Sequence, residues 1–460
     1  MKSNQIADKK LSLFDSTAII IGSMIGSGIF IVSADIARKV QSPGMLLLAW
    51  VVTGVITIFA ALSYGELAAA MPKAGGQYVY IREAFGKKYG FLYGWTLFSV
   101  IQTGTIAAVS VAFAKFTGVF FPVISGSNYL FHLGSFGIST QQLLGVILII
   151  GLSVYNYRDV KSGALLQNIF TIAKVGALLF LVGAGIYIGF SGKISTNHFS
   201  PAFPDVITLA TIGTFGAALT GSLFSADAWN NITFTAGEVR NPQKNLPLSL
   251  LLGTGTVIVL YILANISYLS VLSVDQIATA ENDRVATLMM QNVLGENGRY
   301  FIAGMIMVST FGCLNGCIFT APRVYYAMAK DGMFLKQAAK LNKNNVPANS
   351  ITMQCIWSCL LCFSGTYNQL LEYIMFAVML FYILTISGLF VLRVKKPEME
   401  RPYKAFGYPI IPGLYIALAL FVCVNMFIVQ RDSSIYGLII ILTGLPIYYL
   451  INRKGKTAND

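Results

Sequence analysis

The sequence is poor in charged residues. Asp, Glu, Lys and Arg make up 11% of the 460 residues, against roughly 25% in soluble globular domains. Hydrophobic residues make up 55%, and the mean hydropathy is +0.68. This composition excludes a soluble globular protein and a disordered chain of low hydrophobicity, and it predicts a membrane protein whose functional machinery lies within the bilayer.

Histidine and cysteine are also scarce. The two histidines, His132 and His198, fall between the apolar segments, so we expect no metal site and no His-based catalytic dyad at membrane depth. The six cysteines all fall inside apolar segments, which excludes a disulfide framework of outside loops, and the cluster from Cys355 to Cys362 is predicted to pack as small apolar side chains. No metal motif, phosphate loop or serine elbow favours an enzyme, and no cofactor is expected.

Long apolar runs are what the sequence has in abundance. Bounded by charge, proline or glycine, they number twelve, and they are too long and continuous for the strands of a barrel. We therefore predict an all-α polytopic membrane protein. Its twelve transmembrane helices are expected at residues 15–40, 44–70, 90–117, 139–157, 162–190, 206–238, 247–272, 299–330, 349–365, 369–392, 412–430 and 434–451.

Positive charge is distributed unequally between alternate connecting segments. Of the 32 Lys and Arg residues, 24 fall on the side of the two termini, seven fall on the other side, and Lys174 lies within a helix. Because cytoplasmic loops carry the excess of Lys and Arg, both termini are predicted to be cytoplasmic. The net charge of +13 then reflects membrane orientation, and no nucleic acid partner is implied. Met1 to Ser12 and the following span lack a cleavage site, so the first span is read as permanent.

The first span contains a cluster of glycines. Gly22 and Gly26 fit a face of small residues used for close helix packing, which is the alternative interpretation. The denser group Gly26-Ser27-Gly28 favours an unwound segment instead, because closely spaced glycines destabilise a helix.

The sixth span has an irregular centre from Phe224 to Asn231, with Asp227 at membrane depth. Interrupted helices five apart predict a 5+5 inverted repeat whose site lies between them, although the two halves show no visible sequence identity. The predicted division is a cytoplasmic tail at 1–14, helices 1 to 5 at 15–192, the inverted repeat at 193–392, and helices 11 and 12 with a cytoplasmic tail at 393–460.

An unwound helix offers free amides and free carbonyl groups at the two sides of the break. A carboxylate is expected at the amides of Ser27, Gly28 and Ile29, and an ammonium at the carbonyl groups of Met24 and Phe224. This pattern favours an α-amino acid over a sugar, a lipid or a bare ion.

Several motifs occur in the expected order and spans. The sequence resembles the amino acid–polyamine–organocation superfamily, and within it the L-type amino acid transporter branch, over nearly its whole length. The matching segments are Gly26-Ser-Gly-Ile-Phe30, Tyr64-Gly-Glu-Leu67, Pro72-Lys-Ala-Gly-Gly-Gln-Tyr78, Phe170-Thr-Ile-Ala-Lys174, Trp229-Asn230, Glu238-Val-Arg-Asn-Pro242, Phe311-Gly-Cys-Leu-Asn-Gly316 with Arg323, and Arg401-Pro-Tyr-Lys404.

The resemblance implies a fold of the LeuT type with helices 1 and 6 unwound at mid-membrane, alternating access, and sodium-independent exchange of L-amino acids across the cell inner (plasma) membrane. Phe224 matches the aromatic gate. A bacterial-type single subunit is expected, because no cysteine for a disulfide-linked heavy chain occurs from Phe120 to Thr140. The expected substrate-binding residues are Met24, Ile25, Gly26, Ser27, Gly28, Ile29, Phe224, Ser225, Asp227 and Asn230.

Two charged residues inside the predicted helices have more than one interpretation. The resemblance implies that Lys174 occupies the place where related symporters bind sodium, bridging helices 1 and 8 with Ser309, and the alternative is a structural polar plug. Asp227 could recognise a cationic side chain, balance Lys174 from a distance, or cap the second half of helix 6. Because large-neutral transporters of the branch look to have glycine at this position, the substrate range stays open between neutral and cationic amino acids.

Glu66 and Glu238 lie near helix ends, and gate ion pairs or solvated helix ends are favoured there over a proton relay. Rival functions are a proton- or sodium-coupled amino acid or polyamine symporter, which would need an ion site in place of Lys174, and a channel, whose pore rings one sequence does not reveal.

Overall fold

The computed structural model describes residues 10–133, 136–158, 160–191, 196–363 and 367–456. Residues 1–9 of the predicted N-terminal tail, the predicted repeat boundary between residues 192 and 193, and residues 457–460 lie outside the described residues. The described chain is mostly helical.

The first half of the chain contains the predicted helices and several shorter elements. A π-helical turn at Leu97–Ile101 joins α5 to α6. The elements are α1 (Leu13–Met24), α2 (Gly28–Val40), α3 (Pro43–Ala70), α4 (Gln77–Phe85), α5 (Lys87–Thr96), α6 (Gln102–Thr117), β1 (Tyr129–Leu133), β2 (Phe136–Ser139), α7 (Thr140–Tyr155) and α8 (Val160–Phe190).

The second half of the described chain is helical throughout, with short 3₁₀ turns between helices. Its elements are α9 (Leu209–Ser225), α10 (Asn231–Phe234), α11 (Pro242–Val271), α12 (Val274–Ala278), α13 (Val285–Leu294), α14 (Glu296–Thr320), α15 (Pro322–Lys330), α16 (Ala348–Leu361), α17 (Tyr367–Lys395), α18 (Ile410–Val429) and α19 (Arg431–Lys456).

Eight of the predicted spans match helices in the described chain that are long and apolar enough to cross a membrane, and the bent pair α1 and α2 makes nine. The other three predicted spans, 139–157, 206–238 and 349–365, contain α7, α9 and α16, which are helical over 16, 17 and 14 residues. The structure therefore supports a multi-pass helical membrane protein, and the number twelve stays a prediction.

The sequence did not predict the elements that connect the spans. β1 and β2 form an antiparallel hairpin. The expectation that the chain is entirely α-helical is therefore wrong for this segment. The helices α4, α12 and α13 also lie in segments that were read as loops. These segments are too short for a crossing, so a search for long apolar runs passes over them.

The starts of several helices are fixed by local sequence. Ser12 and Asp15 form a capping box at the start of α1, and Ser139 and Gln142 form one at the start of α7. Glycine allows close helix contacts, since a Cβ on Gly54 of α3 would lie 2.4 Å from Ile258 of α11. Small residues at such crossings let helix backbones approach each other in a bilayer.

Ion pairs connect the helix ends on one side of the bundle. Glu66 at the end of α3 accepts hydrogen bonds of 2.6 and 3.0 Å from Arg393 of α17, and Arg401 lies 3.3 Å away. Glu238 pairs with Arg323 at 3.0 Å, and both of these side chains are buried. The prediction of ion pairs at Glu66 and Glu238 is confirmed, and neither carboxylate is a solvated helix end.

Glu83 of α4 gives a pH-dependent contribution to stability. A hydrogen bond from Lys396, 2.7 Å long, lowers the pKa of the Glu83 carboxyl below its usual value. A carboxyl whose pKa is depressed by folding stabilises the fold above its unfolded pKa, and this contribution is lost as the pH falls through the folded pKa. We expect Glu83→Gln to lower the melting temperature at neutral pH by about 1–2 °C.

The measurement is thermal unfolding of the detergent-solubilised protein from neutral pH towards acid pH, in the direction in which the folded carboxyl becomes protonated. The difference between Glu83→Gln and the unmodified protein should shrink towards the acid end. Glu400→Gln, an exposed carboxylate near the same end of α17, is the matched control. A difference that stays constant with pH would contradict the assignment.

Candidate functional site at two interrupted helices

The first interruption lies where the glycine cluster predicts it. α1 ends at Met24, α2 begins at Gly28, and the two helices are bent by 41°. The connecting residues Ile25 and Ser27 are buried. The backbone groups released here must therefore find partners inside the protein.

Most of the carbonyl groups at the end of α1 have side-chain partners. Lys174 Nζ donates to the carbonyl oxygens of Gly22 at 2.7 Å and Ile25 at 2.9 Å. The Tyr261 hydroxyl lies 2.8 Å from the carbonyl oxygen of Met24. In this conformation, the Met24 carbonyl predicted to receive a ligand ammonium already accepts a hydrogen bond from the protein.

Lys174 is fully buried in α8 and holds the broken end of α1. Ser309 of α14 donates to the same Ile25 carbonyl oxygen at 3.2 Å. The ammonium of Lys174 thus binds α1 directly, and α14, which is the predicted helix 8, is connected to it through the Ile25 carbonyl group that Lys174 and Ser309 share. The positive charge is stabilised by carbonyl dipoles and not by a hydrogen-bonded carboxylate in the described structure.

The start of α2 packs closely against the end of α9. A Cβ on Gly28 would lie 2.2 Å from Ser225 Oγ, so only glycine fits at this contact. Within the described chain, the Ser27 side chain does not cap α2, although the Phe30 amide donates to the Ser27 carbonyl oxygen at 3.1 Å. The N-terminus of α2 lies directly beside the second interruption.

The second interruption separates α9, which ends at Ser225, from α10, which begins at Asn231. Ala228 in this segment has a positive φ of 67°. The Tyr261 hydroxyl lies 3.1 Å from the carbonyl oxygen of Ser225 and 2.8 Å from that of Met24. One phenol of α11 therefore joins the broken ends of both helices.

Asp227 in the second interruption has a partner on a distant helix. Its Oδ1 accepts a hydrogen bond of 2.5 Å from the Tyr382 hydroxyl of α17. The N-cap of α10 is Asn230, and no side chain caps that end in the described structure, so the interpretation of Asp227 as a helix cap is wrong. The chain turns away from helix after Asp227 because Ala228 adopts a left-handed conformation.

Asn230 belongs to a polar chain that leads away from the break. Its Nδ2 donates to Gln77 Oε1 at 2.9 Å. The Gln77 amide nitrogen in turn donates to the Phe381 carbonyl oxygen at 3.2 Å and to Thr385 Oγ1 at 3.0 Å. These bonds connect the second interruption to α4 and α17.

Two cavities flank the Asp227–Tyr382 hydrogen bond, and both residues line each of them. The larger is lined by Gln77, Tyr93, Leu97, Ile101, Gln102, Thr105, Asp227, Ala228, Asn230, Asn231, Phe234, Val378, Phe381 and Tyr382. The smaller is lined by Ile56, Thr57, Ala60, Leu223, Ala226, Asp227, Trp229, Met375, Met379, Tyr382 and Tyr415.

The structure divides the predicted site residues into two groups. Asp227 and Asn230 line a cavity. The residues from Met24 to Ile29, together with Phe224 and Ser225, are buried and line neither of these two cavities. The two interruptions are in contact, and these two cavities lie beside Asp227 and α17.

Sequence reasoning missed Tyr261, Tyr382 and Gln102 as residues of the site. It did not name Gln77 either, although Gln77 lies in one of the matching motifs and a signal for it was present. The tyrosines lie in long apolar helices, where the only signal is a hydroxyl that needs a partner when buried. The sequence does not show which partner that is.

Comparison with known proteins gives one family and several relatives. A family model described as amino acid permease matches residues 11–451. The chain is 30% identical over 444 residues to b(0,+)-type amino acid transporter 1 of Mus musculus, covering 96% of this chain and 88% of that protein. It is 30% identical to Large neutral amino acids transporter small subunit 2 of Mus musculus, covering 98% and 83%. It is 28% identical to the Serine/threonine exchanger SteT of Bacillus subtilis (strain 168), covering 97% of both chains.

Proposed function

Because the chain belongs to the amino acid permease family, within the amino acid–polyamine–organocation superfamily, we propose that it is a sodium-independent exchanger of L-amino acids that works by alternating access. The family and these relatives are transporters, so the protein is an amino acid transporter and not an enzyme. Exchange, substrate range and ion coupling form the proposal.

The observation that carries the proposal is the meeting of two interrupted helices. Gly28 at the start of α2 contacts Ser225 at the end of α9, and Tyr261 lies within hydrogen-bond distance of the carbonyl groups at both broken ends. Helix ends that face each other inside a bundle present both amides and carbonyl groups to one small space. That combination suits a zwitterion, which carries both charges on one small molecule.

In the proposed complex the two charged groups of the substrate bind at the two sides of the break. The carboxylate accepts hydrogen bonds from the amides of Ser27, Gly28 and Ile29. The ammonium approaches the carbonyl groups of Met24 and Phe224, where it takes the place of the hydroxyl of Tyr261 at Met24. Binding then requires the two helix ends to separate, since they are in contact in this structure.

The remaining predicted residues shape this space. Ile25 and Gly26 form the turn between α1 and α2, Ser225 ends α9, and Asn230 connects the second break to Gln77. Phe224 is buried next to the second break and is proposed as the gate that covers the bound substrate. Movement of its ring would open the space between the helix ends.

Lys174 is proposed as a built-in cation. Its ammonium lies 2.7 and 2.9 Å from two carbonyl oxygens of α1, and Ser309 adds a hydroxyl at the second of them. Unwound carbonyl groups are the ligands that sodium uses in symporters of related architecture. A lysine in this position supplies the positive charge permanently, so transport should not need sodium.

The proposed topology has twelve helices, with 15–192 and 193–392 as the two inverted repeats and both termini in the cytoplasm. We place the protein in the cell inner (plasma) membrane as a bacterial-type single subunit. The absence of cysteine between Phe120 and Thr140 supports the view that no heavy chain is bound through a disulfide there.

Neutral L-amino acids are the proposed substrates, with serine as the first to test because the Bacillus subtilis relative is a serine/threonine exchanger. Cationic amino acids are kept as candidate substrates, because Asp227 offers a carboxylate to their side chains. The first alternative function is a proton- or sodium-coupled symporter of amino acids or polyamines, and the second is a channel.

The test is counterflow in proteoliposomes that contain the purified protein. Uptake of labelled serine should rise several-fold when the vesicles are preloaded with unlabelled neutral amino acid, because an exchanger returns to its outward-facing state faster with substrate bound. The rate should be equal in sodium and choline buffers. Uptake that requires a sodium or proton gradient would support the symporter, and electrical conductance without stimulation would support a channel.

A further inference from the structure

Tyr382 of α17 lies between the two cavities and is almost fully buried. Its hydroxyl donates to Asp227 Oδ1 at 2.5 Å, a short distance typical of a hydroxyl bound to a carboxylate. The Asp227 carboxylate is therefore already compensated by a protein donor in this conformation.

The ring of Tyr382 is held in place from two sides. Tyr64 packs edge-on against it with ring centroids 5.8 Å apart, and Trp229 packs tilted against it at 5.2 Å. The orientation of the hydroxyl is thus fixed by packing as well as by the hydrogen bond. Such aromatic contacts make the hydroxyl a preorganised donor for Asp227.

Both cavities that meet at this pair are mostly apolar, and they differ in the residues that line them. The larger one has Gln77, Gln102 and Thr105 in its lining. The smaller one is largely apolar and includes Ile56, Met375 and Met379. A side chain that enters from either cavity meets the same carboxylate and the same hydroxyl.

We propose that Tyr382 is a specificity-determining residue, whose hydroxyl occupies the position on Asp227 that the cationic end of an arginine or lysine side chain would need. This inference rests on the proposed function and deepens it. A neutral substrate such as serine leaves the Asp227–Tyr382 bond intact. A cationic substrate has to displace the hydroxyl before it pairs with the carboxylate, so its affinity is reduced by the competing donor.

The effect of losing the Tyr382 hydroxyl on substrate preference follows from the cost of leaving one partner of a buried hydrogen bond behind. Removal of the hydroxyl leaves Asp227 with the backbone donor of Ala228 but without its side-chain donor, and the loss of a donor to a buried carboxylate is costly. The guanidinium of arginine or the ammonium of lysine then donates a charged hydrogen bond to Asp227 in place of the hydroxyl, whereas the side chain of serine supplies only a neutral donor. Loss of the hydroxyl should therefore favour cationic over neutral substrates.

The experiment compares uptake of labelled serine and arginine by proteoliposomes of the full-length protein and of Tyr382→Phe. The ratio of kcat/KM for arginine to that for serine should rise at least about tenfold in Tyr382→Phe, the factor expected for one hydrogen bond to a charged group. Tyr80→Phe is the matched control, because Tyr80 is a buried tyrosine that packs against Tyr64 and lines neither cavity. Its ratio should stay at that of the unmodified protein.

A double-mutant cycle separates this role from a structural one. In an Asp227→Asn background the change of Tyr382 to Phe should leave the arginine-to-serine ratio unmoved, since the hydroxyl then has no carboxylate to compete for. If Asp227→Asn stops transport, the same comparison is made from the rise in melting temperature that each amino acid produces in detergent.

An unchanged ratio in Tyr382→Phe, with normal serine exchange, would overturn the proposal and leave the proposed function standing. An equal increase in the ratio in the Asp227→Asn background would overturn it too. Failure of the unmodified protein to exchange any amino acid would instead overturn the proposed function.

Discussion

Replacement of Lys174 by alanine is expected to reduce serine exchange at least about tenfold, because the carbonyl groups of Gly22 and Ile25 lose their shared buried donor and each such loss costs about 1–3 kcal/mol. In the described part of the chain, hydrogen bonds from Ser309, Tyr261 and Cys313 to the broken end of α1 would remain. Since α1 carries one side of the proposed site, its displacement should affect substrate binding directly.

The measurement is initial uptake by proteoliposomes in sodium and in choline buffer, together with the melting temperature in detergent. If the ammonium substitutes for sodium, part of the lost activity of Lys174→Ala should return in sodium buffer only. Lys115→Ala, at the end of α6, is the control for removal of a lysine from a helix of the bundle.

The alternative for Lys174 is a structural polar plug without consequence for transport. It predicts a lower melting temperature for Lys174→Ala with normal exchange per folded molecule. That outcome would end the proposal of a built-in cation. A requirement for sodium in the unmodified protein would end it as well.

Addition of one methyl group at Gly28 is expected to have an effect of similar size. The Cβ of Gly28→Ala would lie 2.2 Å from Ser225 Oγ and 3.0 Å from the Ser225 Cα, so α2 and α9 have to move apart. Overpacking of this kind typically costs about 1–3 kcal/mol, which corresponds to about tenfold or more in an equilibrium between conformations. We expect serine exchange to fall by at least that factor.

Two further variants make this test specific. Ser225→Gly combined with Gly28→Ala removes the clashing Oγ and Cβ, and it should restore part of the exchange. Gly255→Ala on α11 adds a methyl group that meets nothing within 4 Å, so exchange should be unaffected. Normal transport by Gly28→Ala alone would show that transport does not require the close contact between α2 and α9 at Gly28 and Ser225.

The sequence predicted the helices well because crossing a bilayer imposes a minimum apolar length. Every long apolar helix of the described chain coincides with a predicted span. The interruption in the first span was also predictable, since Gly26-Ser27-Gly28 disfavours helix by its own local chemistry. The irregular segment around Asp227 likewise interrupts the helix where it was expected.

Local composition was less informative outside the spans. The hairpin of β1 and β2 and the helices α12 and α13 are short elements that connect the long helices. Their apolar residues are too few to distinguish them from loops by hydropathy. The carboxylates of Glu66 and Glu238 could be placed near helix ends, but their arginine partners lie 327 and 85 residues away in the chain.

The sequence by itself determined that the protein is a helical membrane protein, where its first helix breaks, and which residues stand at the two interruptions. Only the tertiary structure decided that Tyr261 joins both breaks, that Lys174 binds Gly22 and Ile25, and that Asp227 pairs with Tyr382. The physical reason is that a helix apolar on all sides gives no periodic signal for the face that meets the protein rather than lipid. Partners 36 to 237 residues apart are therefore brought together by packing, and they become visible only in the folded chain.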